Sequence, residues 1–225
     1  MSVFNTSPLV IEPATTANAC LIWLHGLGAD RFDFAPLLRS LQLPAAIALR
    51  CVLPQAPERA VTINGGWIMP AWYDIISVNP EREVAQADVA ECAAYIQQLI
   101  DEQIAGGIEP SRIILAGFSQ GGAVALHCAY RTAQQPLAGV IALSTYLLNS
   151  GAPASEANLA QTPLLYLHGQ HDDVVPLSLG QHACATLSAL GVSLAAYQHD
   201  GYHEVPASCL GLLQEWLSER LTYPT

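Results

Sequence analysis

Two hydrophobic patterns alternate along the chain. Short unbroken apolar runs are followed by longer stretches in which apolar residues recur every three or four positions. An unbroken run predicts a strand covered on both faces, whereas the longer period predicts one face of a helix. The runs are Leu9-Val10-Ile11, Cys20 to Leu24, Ala48 to Pro54, Ile113 to Ala116, Leu137 to Leu143, Pro163 to Leu167 and Val192 to Tyr197. Helical spacing links Phe34, Leu37, Leu38 and Leu41. It resumes from Glu81 through Val84, Cys92, Ile96, Leu99 and Ile104, where Gly106-Gly107 ends it. Further helices are predicted after Ser119, from about Leu177 to Leu190, and around Leu210, Leu213, Trp216 and Leu217. Strands alternating with helices predict a mostly parallel central sheet with helices on both faces, in one α/β domain spanning residues 1–225.

Two stretches stand outside this alternation. Residues 55–80 have no long period but concentrate Trp67, Met69, Trp72 and Tyr73, and read as a long ordered loop or short hairpin. Their rings either wall an apolar groove or plug the core edge. Residues 144–161 form a polar loop in which Tyr146 and Leu147 offer a further groove wall.

Composition narrows the function classes. Of 225 residues, 52% are hydrophobic and 12% charged, as in a packed globular domain. The 8 Lys+Arg against 19 Asp+Glu give a net charge of −11, a field that repels nucleic-acid backbones and anionic membrane surfaces. Met1 to Pro8 lack the basic and apolar regions of a secretory signal, and no run is long enough to span a bilayer. Six cysteines without a C-x-x-C pair predict buried, reduced thiols in a cytoplasmic protein, with disulfides as the alternative for an exported one.

The candidate chemistry sits at strand ends. Ile113 to Ala116 runs into Gly117-Phe118-Ser119-Gln120-Gly121-Gly122, a G-x-S-x-G turn that holds a serine clear of the strand end. Gln120 opens the next helix, so its backbone N–H is free of an intrahelical partner and suits a developing oxyanion. The glycine-rich turn His25-Gly26-Leu27-Gly28-Ala29-Asp30 offers the Leu27 N–H as a second donor, while His25 itself reads as structural. A carboxylate past a later strand end, in His168-Gly169-Gln170-His171-Asp172-Asp173, and a histidine in the last exit loop, His203, complete the set. Ser119, Asp172 and His203 follow the chain order nucleophile, acid, base. A serine hydroxyl needs a neutral imidazole to take its proton, and that imidazole needs a carboxylate to fix its tautomer. Two other classes fit parts of the pattern. His168, His171, Asp172 and Asp173 are residue types that bind metals, and the same fold without catalysis would serve as a binding module.

Leu24 to Asp30, Leu53-Pro54-Gln55-Ala56-Pro57, Met69 to Asp74, Gly117 to Gly122, His168-Gly169-x-x-Asp172 with Val175-Pro176, and His203-Glu204-Val205 together resemble the phospholipase/carboxylesterase family of α/β-hydrolases. This family includes acyl-protein thioesterases, and the bacterial carboxylesterase branch looks nearest. The resemblance implies an α/β-hydrolase fold, Ser119 as nucleophile, Asp172 rather than Asp173 as acid, His203 as base, Leu27 and Gln120 as the oxyanion hole, and no metal or cofactor. Two positions depart from the pattern: Asp173 stands where many relatives have proline, and Gly201-Tyr202 where bacterial relatives often have Met-Gly. The strands and helices leave no room for a large lid domain. An open groove, with Trp67, Trp72, Tyr73 and Tyr146 as candidate walls, predicts a carboxylesterase for short- to medium-chain esters. Acyl-protein thioesterase and lysophospholipase activity are the alternatives, with a small-molecule ester or thioester as partner and room for a homodimer.

Overall fold

The computed structural model describes residues 3–78, 82–148 and 155–222. In chain order the elements begin with strands β1 (Leu9–Ile11) and β2 (Ala19–Leu24), helix α1 (Ala35–Arg39) and strand β3 (Leu49–Leu53). Strands β4 (Glu58–Val61), β5 (Trp67–Pro70), β6 (Ile75–Ser77) and β7 (Glu83–Val84) lead to helix α2 (Gln86–Ala105). Strand β8 (Ile113–Phe118) is followed by helix α3 (Gln120–His127), which continues through one wider turn over Cys128–Thr132. Then come β9 (Gly139–Leu143), α4 (Glu156–Gln161), β10 (Leu164–Gly169), α5 (Leu177–Ala189), β11 (Leu194–His199) and α6 (Leu210–Leu221).

Seven strands form the central sheet in the order β1-β3-β2-β8-β9-β10-β11. Every neighbouring pair is parallel except β1 with β3. The alternation of side chains along β2 shows why its sequence is apolar throughout. Cys20, Ile22 and Leu24 lie on one face, in the same core cluster as Ile96 of α2 and Val124 of α3. Ala19, Leu21 and Trp23 lie on the other, in the core cluster that Leu38 of α1 and Leu213 and Trp216 of α6 complete. All six residues of β2 are buried, so neither face tolerates a polar side chain.

From β2 the chain moves to β3 on one side and later returns to β8 on the other. The order therefore reverses between β2 and β8, and the loops leaving their carboxyl ends are adjacent there. Crevices at such switch points are the usual ligand sites of open α/β sheets. Leu24 pairs with Gly117 at this edge, and Phe118 with Leu143.

The two irregular stretches resolve differently from each other. Within residues 55–80, β4 and β5 form an antiparallel hairpin, and β6 pairs with β7. Val84, expected in the helix, belongs to β7: Ile75 pairs with it, Ala85 donates to Asp74 O at 3.0 Å, and helical geometry starts at Gln86. The polar stretch 144–161 ends in α4, whose first turn is capped by Ser155 Oγ accepting from Asn158 N–H. Residues 149–154 lie outside the described residues. All six cysteines are free thiols. Among the described residues no helix is long and apolar enough to cross a membrane.

Candidate active site

Strand β8 delivers Ser119 in a backbone conformation that L-residues rarely adopt, φ 54° and ψ −119°. Three hydrogen bonds hold it. Ser119 N–H donates to Leu143 O at 2.9 Å, and its carbonyl accepts from Ala123 N–H at 3.2 Å and Thr145 Oγ1 at 2.6 Å. The sharp reversal brings α3 against the strand it has just left. A Cβ on Gly117 would stand 2.4 Å from the Gly121 carbonyl, and one on Gly121 would stand 2.5 Å from the carbonyl oxygens of Leu24 and His25. Both positions accept only glycine without moving backbone.

Gln120 opens α3, and its buried side chain is fully used. Oε1 accepts from Trp72 N–H at 2.8 Å and Nε2 donates to Tyr73 O at 2.7 Å. The amide thus ties the start of α3 to the segment after β5. The backbone N–H of this first helical residue has no carbonyl one turn back to bond. The turn after β2 lies directly over Ser119: a Cβ on Gly26 would stand 3.6 Å from Ser119 Cβ. Its path is anchored by Gly28 N–H to Pro70 O at 2.8 Å and by Trp72 Nε1 to His25 O at 2.8 Å.

The loops after β10 and β11 are stitched together by Gln170 N–H to His199 O and His171 N–H to Gly201 O, both 2.9 Å. They bring Asp172 Oδ2 within 2.7 Å of His203 Nδ1. The other oxygen, Oδ1, accepts from Val174 N–H at 3.0 Å and Val175 N–H at 2.7 Å, which fixes the carboxylate plane. The His203 ring rests against Phe118, the residue before Ser119, with centroids 4.6 Å apart. Behind the carboxylate, buried His168 places Nε2 2.8 Å from Val175 O and 3.3 Å from Asp172 Oδ2. Burial lowers the pKa of His168, and its Nε2 is engaged by the Val175 carbonyl, so the ring packs behind the carboxylate as a neutral group. Asp173 is exposed. The residues weighed for a metal diverge: His168 turns inward, whereas His171 pairs at the surface with Asp200 at 2.9 Å. Among the described residues no three ligating side chains converge.

The candidate groove walls divide. Trp67 is 75% exposed on the β4–β5 hairpin. Trp72 and Tyr73 are 0% exposed and Tyr146 is buried with them, so these three rings do not wall an open groove. They plug the core edge beneath the turn after β2, with Tyr73 and Tyr146 hydroxyls 2.6 Å apart and the Trp72 indole bonded to His25 O. A hydroxyl or indole N–H lets each ring be buried without an orphaned polar atom. Sequence reasoning missed the Gln120 side chain and Thr145. The run of small polar residues after β9, Ser144-Thr145, was the available signal; in the structure Ser144 has a positive φ of 46°.

The phospholipase/carboxylesterase family model matches residues 5–220. Acyl-protein thioesterase 1 of Neurospora crassa is 33% identical over 232 residues, covering 98% of this chain and 94% of that one. The crystal structure of Zea mays acyl-protein thioesterase 2 superimposes with a TM-score of 0.80 at 26% identity, covering 96% of this chain and 99% of that one. That of esterase PE8 gives 0.76 at 25%, covering 96% and 99%. The relatives are esterases and thioesterases, and the chain belongs to the phospholipase/carboxylesterase family of α/β serine hydrolases.

Proposed function

We propose that this esterase or thioesterase is a carboxylesterase acting on short- to medium-chain esters through an acyl-enzyme on Ser119. The observation that carries the reading is the 2.7 Å bond between Asp172 and His203 Nδ1, beside a serine held at positive φ. With Nδ1 engaged, His203 Nε2 is the nitrogen left to accept the Ser119 proton. Oγ then attacks the acyl carbon, and the carbonyl π electrons move onto oxygen, where the Leu27 and Gln120 amides receive the charge. Collapse expels the alcohol, which takes the proton from His203. Water enters by the reverse sequence: His203 removes its proton as the water oxygen attacks the acyl carbon, the acyl–Oγ bond breaks, Oγ takes that proton back from His203, and the acid leaves.

Trp67 and Ile68, exposed on the hairpin whose base is joined to the turn after β2 through Gly28 N–H and Pro70 O, support an acyl site at the rim. The Met69 sulfur would lie 3.7 Å from a Cβ on Gly28. A shallow apolar rim of this kind favours short and medium chains. A second reading, acyl-protein thioesterase, is favoured by the relatives named above and uses the same atoms. Initial rates on a series of p-nitrophenyl esters and on palmitoyl thioesters decide between them. The carboxylesterase reading expects kcat/KM to peak at short or medium ester chains. A maximum on the palmitoyl thioester overturns it in favour of the second.

A further inference from the structure

His25 is buried at the root of the turn after β2, and three of its atoms are bonded. Nε2 lies 3.1 Å from Ala56 N, Nδ1 lies 2.8 Å from Gly26 O, and the backbone carbonyl accepts from the Trp72 indole. The partners fix the tautomer. An amide N–H only donates, so Nε2 carries the lone pair; a carbonyl only accepts, so Nδ1 carries the proton. Burial lowers the pKa of this ring, which favours the same neutral form.

The consequence lies in the geometry of the peptide unit. Gly26 O and Leu27 N–H belong to one planar trans peptide, in which C=O and N–H point in opposite directions. A donor that holds the oxygen therefore sets the direction of the N–H. The glycine at 26, whose added Cβ would stand 3.2 Å from the Phe118 ring, leaves this side of the peptide with no side chain to fix its rotation.

We propose that His25 is a positioning residue for the oxyanion hole: its Nδ1–H holds Gly26 O and so aims Leu27 N–H at the reacting carbonyl. The proposal rests on the reading of Leu27 N–H as an oxyanion donor. Asn and Gln variants separate the two ends of the ring, because Asn Nδ2 reproduces the Nδ1 donor whereas Gln Oε1 reproduces the Nε2 acceptor. His25→Gln is expected to lose about tenfold to a hundredfold in kcat, a part of the loss seen when a whole donor is removed, with KM within about twofold. Its affinity for a trifluoromethyl ketone, whose adduct puts an oxyanion in the hole, falls by the same factor. His25→Asn retains kcat and ketone affinity within about threefold, although it loses the Ala56 bond. A purely structural histidine would lower Tm in both variants and leave kcat and ketone affinity untouched, and that result overturns the proposal. Nitrogen-15 NMR of the unmodified protein tests it without relying on either variant's folding: the His25 ring is expected as the neutral Nδ1–H tautomer, and an Nε2–H tautomer overturns it. Labelling of Ser119 by a fluorophosphonate is run alongside. Labelling of Ser119 in the unmodified protein with unchanged kcat in His25→Gln refutes the positioning role alone, while absence of labelling in the unmodified protein refutes the serine mechanism beneath it.

Discussion

Asp172 holds His203 Nδ1 at 2.7 Å with a carboxylate whose second oxygen is pinned by two backbone amides, while its neighbour Asp173 faces solvent. One position in the loop thus differs completely from the next. Asp172→Asn is expected to lower kcat on the order of 10⁴-fold, the scale seen for the equivalent change in serine proteases, with the fold intact by circular dichroism. Asp173→Asn changes kcat less than about twofold, since surface substitutions away from special contacts are nearly neutral. Kinetics of the two purified variants check the ranking, and a reversed order places the acid one residue later.

Gly180 lets α5 approach the layer behind Asp172. A Cβ there would stand 2.6 Å from His168 Nδ1 and 2.7 Å from the Tyr166 hydroxyl. Gly180→Ala is expected to cost about 1–3 kcal/mol by overpacking, read from urea denaturation, although alanine is the better helix former. It also lowers kcat, because His168 is displaced against the carboxylate. A gain in stability would show that α5 yields freely at this point.

His127 on α3 is buried, and its Nδ1 has no hydrogen-bond partner among the described residues. Burial, helped by the nearby Arg131 charge, lowers its pKa from 6.5 to about 4. Between these values the unfolded chain binds the proton and the folded chain does not, so stability is lost as pH falls from 6.5 towards about 4. His127→Leu is expected to flatten this acid limb without changing the sign contributed by His25 and His168. Denaturation midpoints across that range measure it, and an unchanged slope contradicts it.

Trp67 stands exposed on the hairpin that abuts the turn after β2. Trp67→Ser is expected to raise KM for octanoyl esters about tenfold, the loss of roughly 1–2 kcal/mol of apolar contact, while acetyl esters keep their kcat/KM. Equal effects on both chains would remove Trp67 from the acyl site.

The sheet was legible because strands covered on both faces leave unbroken apolar runs, and β2, β8, β9 and β10 have no polar alternation to confuse with a helix. Val84 misled because an apolar residue two positions before a helix fits the helical period even when it pairs with Ile75 in a strand. Trp72 and Tyr73 were ambiguous in kind: a ring with a polar tip suits a groove and a core edge equally, and only the His25 carbonyl and the Tyr146 hydroxyl decide which. The Gln120 clamp was invisible since its partners lie 47 and 48 residues earlier in the chain. Local pattern carries no information on such a pairing. The strand-end positions of Ser119, Asp172 and His203 were legible because each lies in a loop that the strand before it announces.

Covalent trapping of the nucleophile tests the central claim most directly. A fluorophosphonate probe reacts only with a serine activated by its neighbours, so peptide mapping of the labelled protein reports which serine carries the chemistry. One adduct is expected, on the peptide containing Ser119, with labelling and ester hydrolysis both lost in Ser119→Ala. An adduct on another serine, or a folded Ser119→Ala protein that still hydrolyses esters at the original rate, would contradict the account.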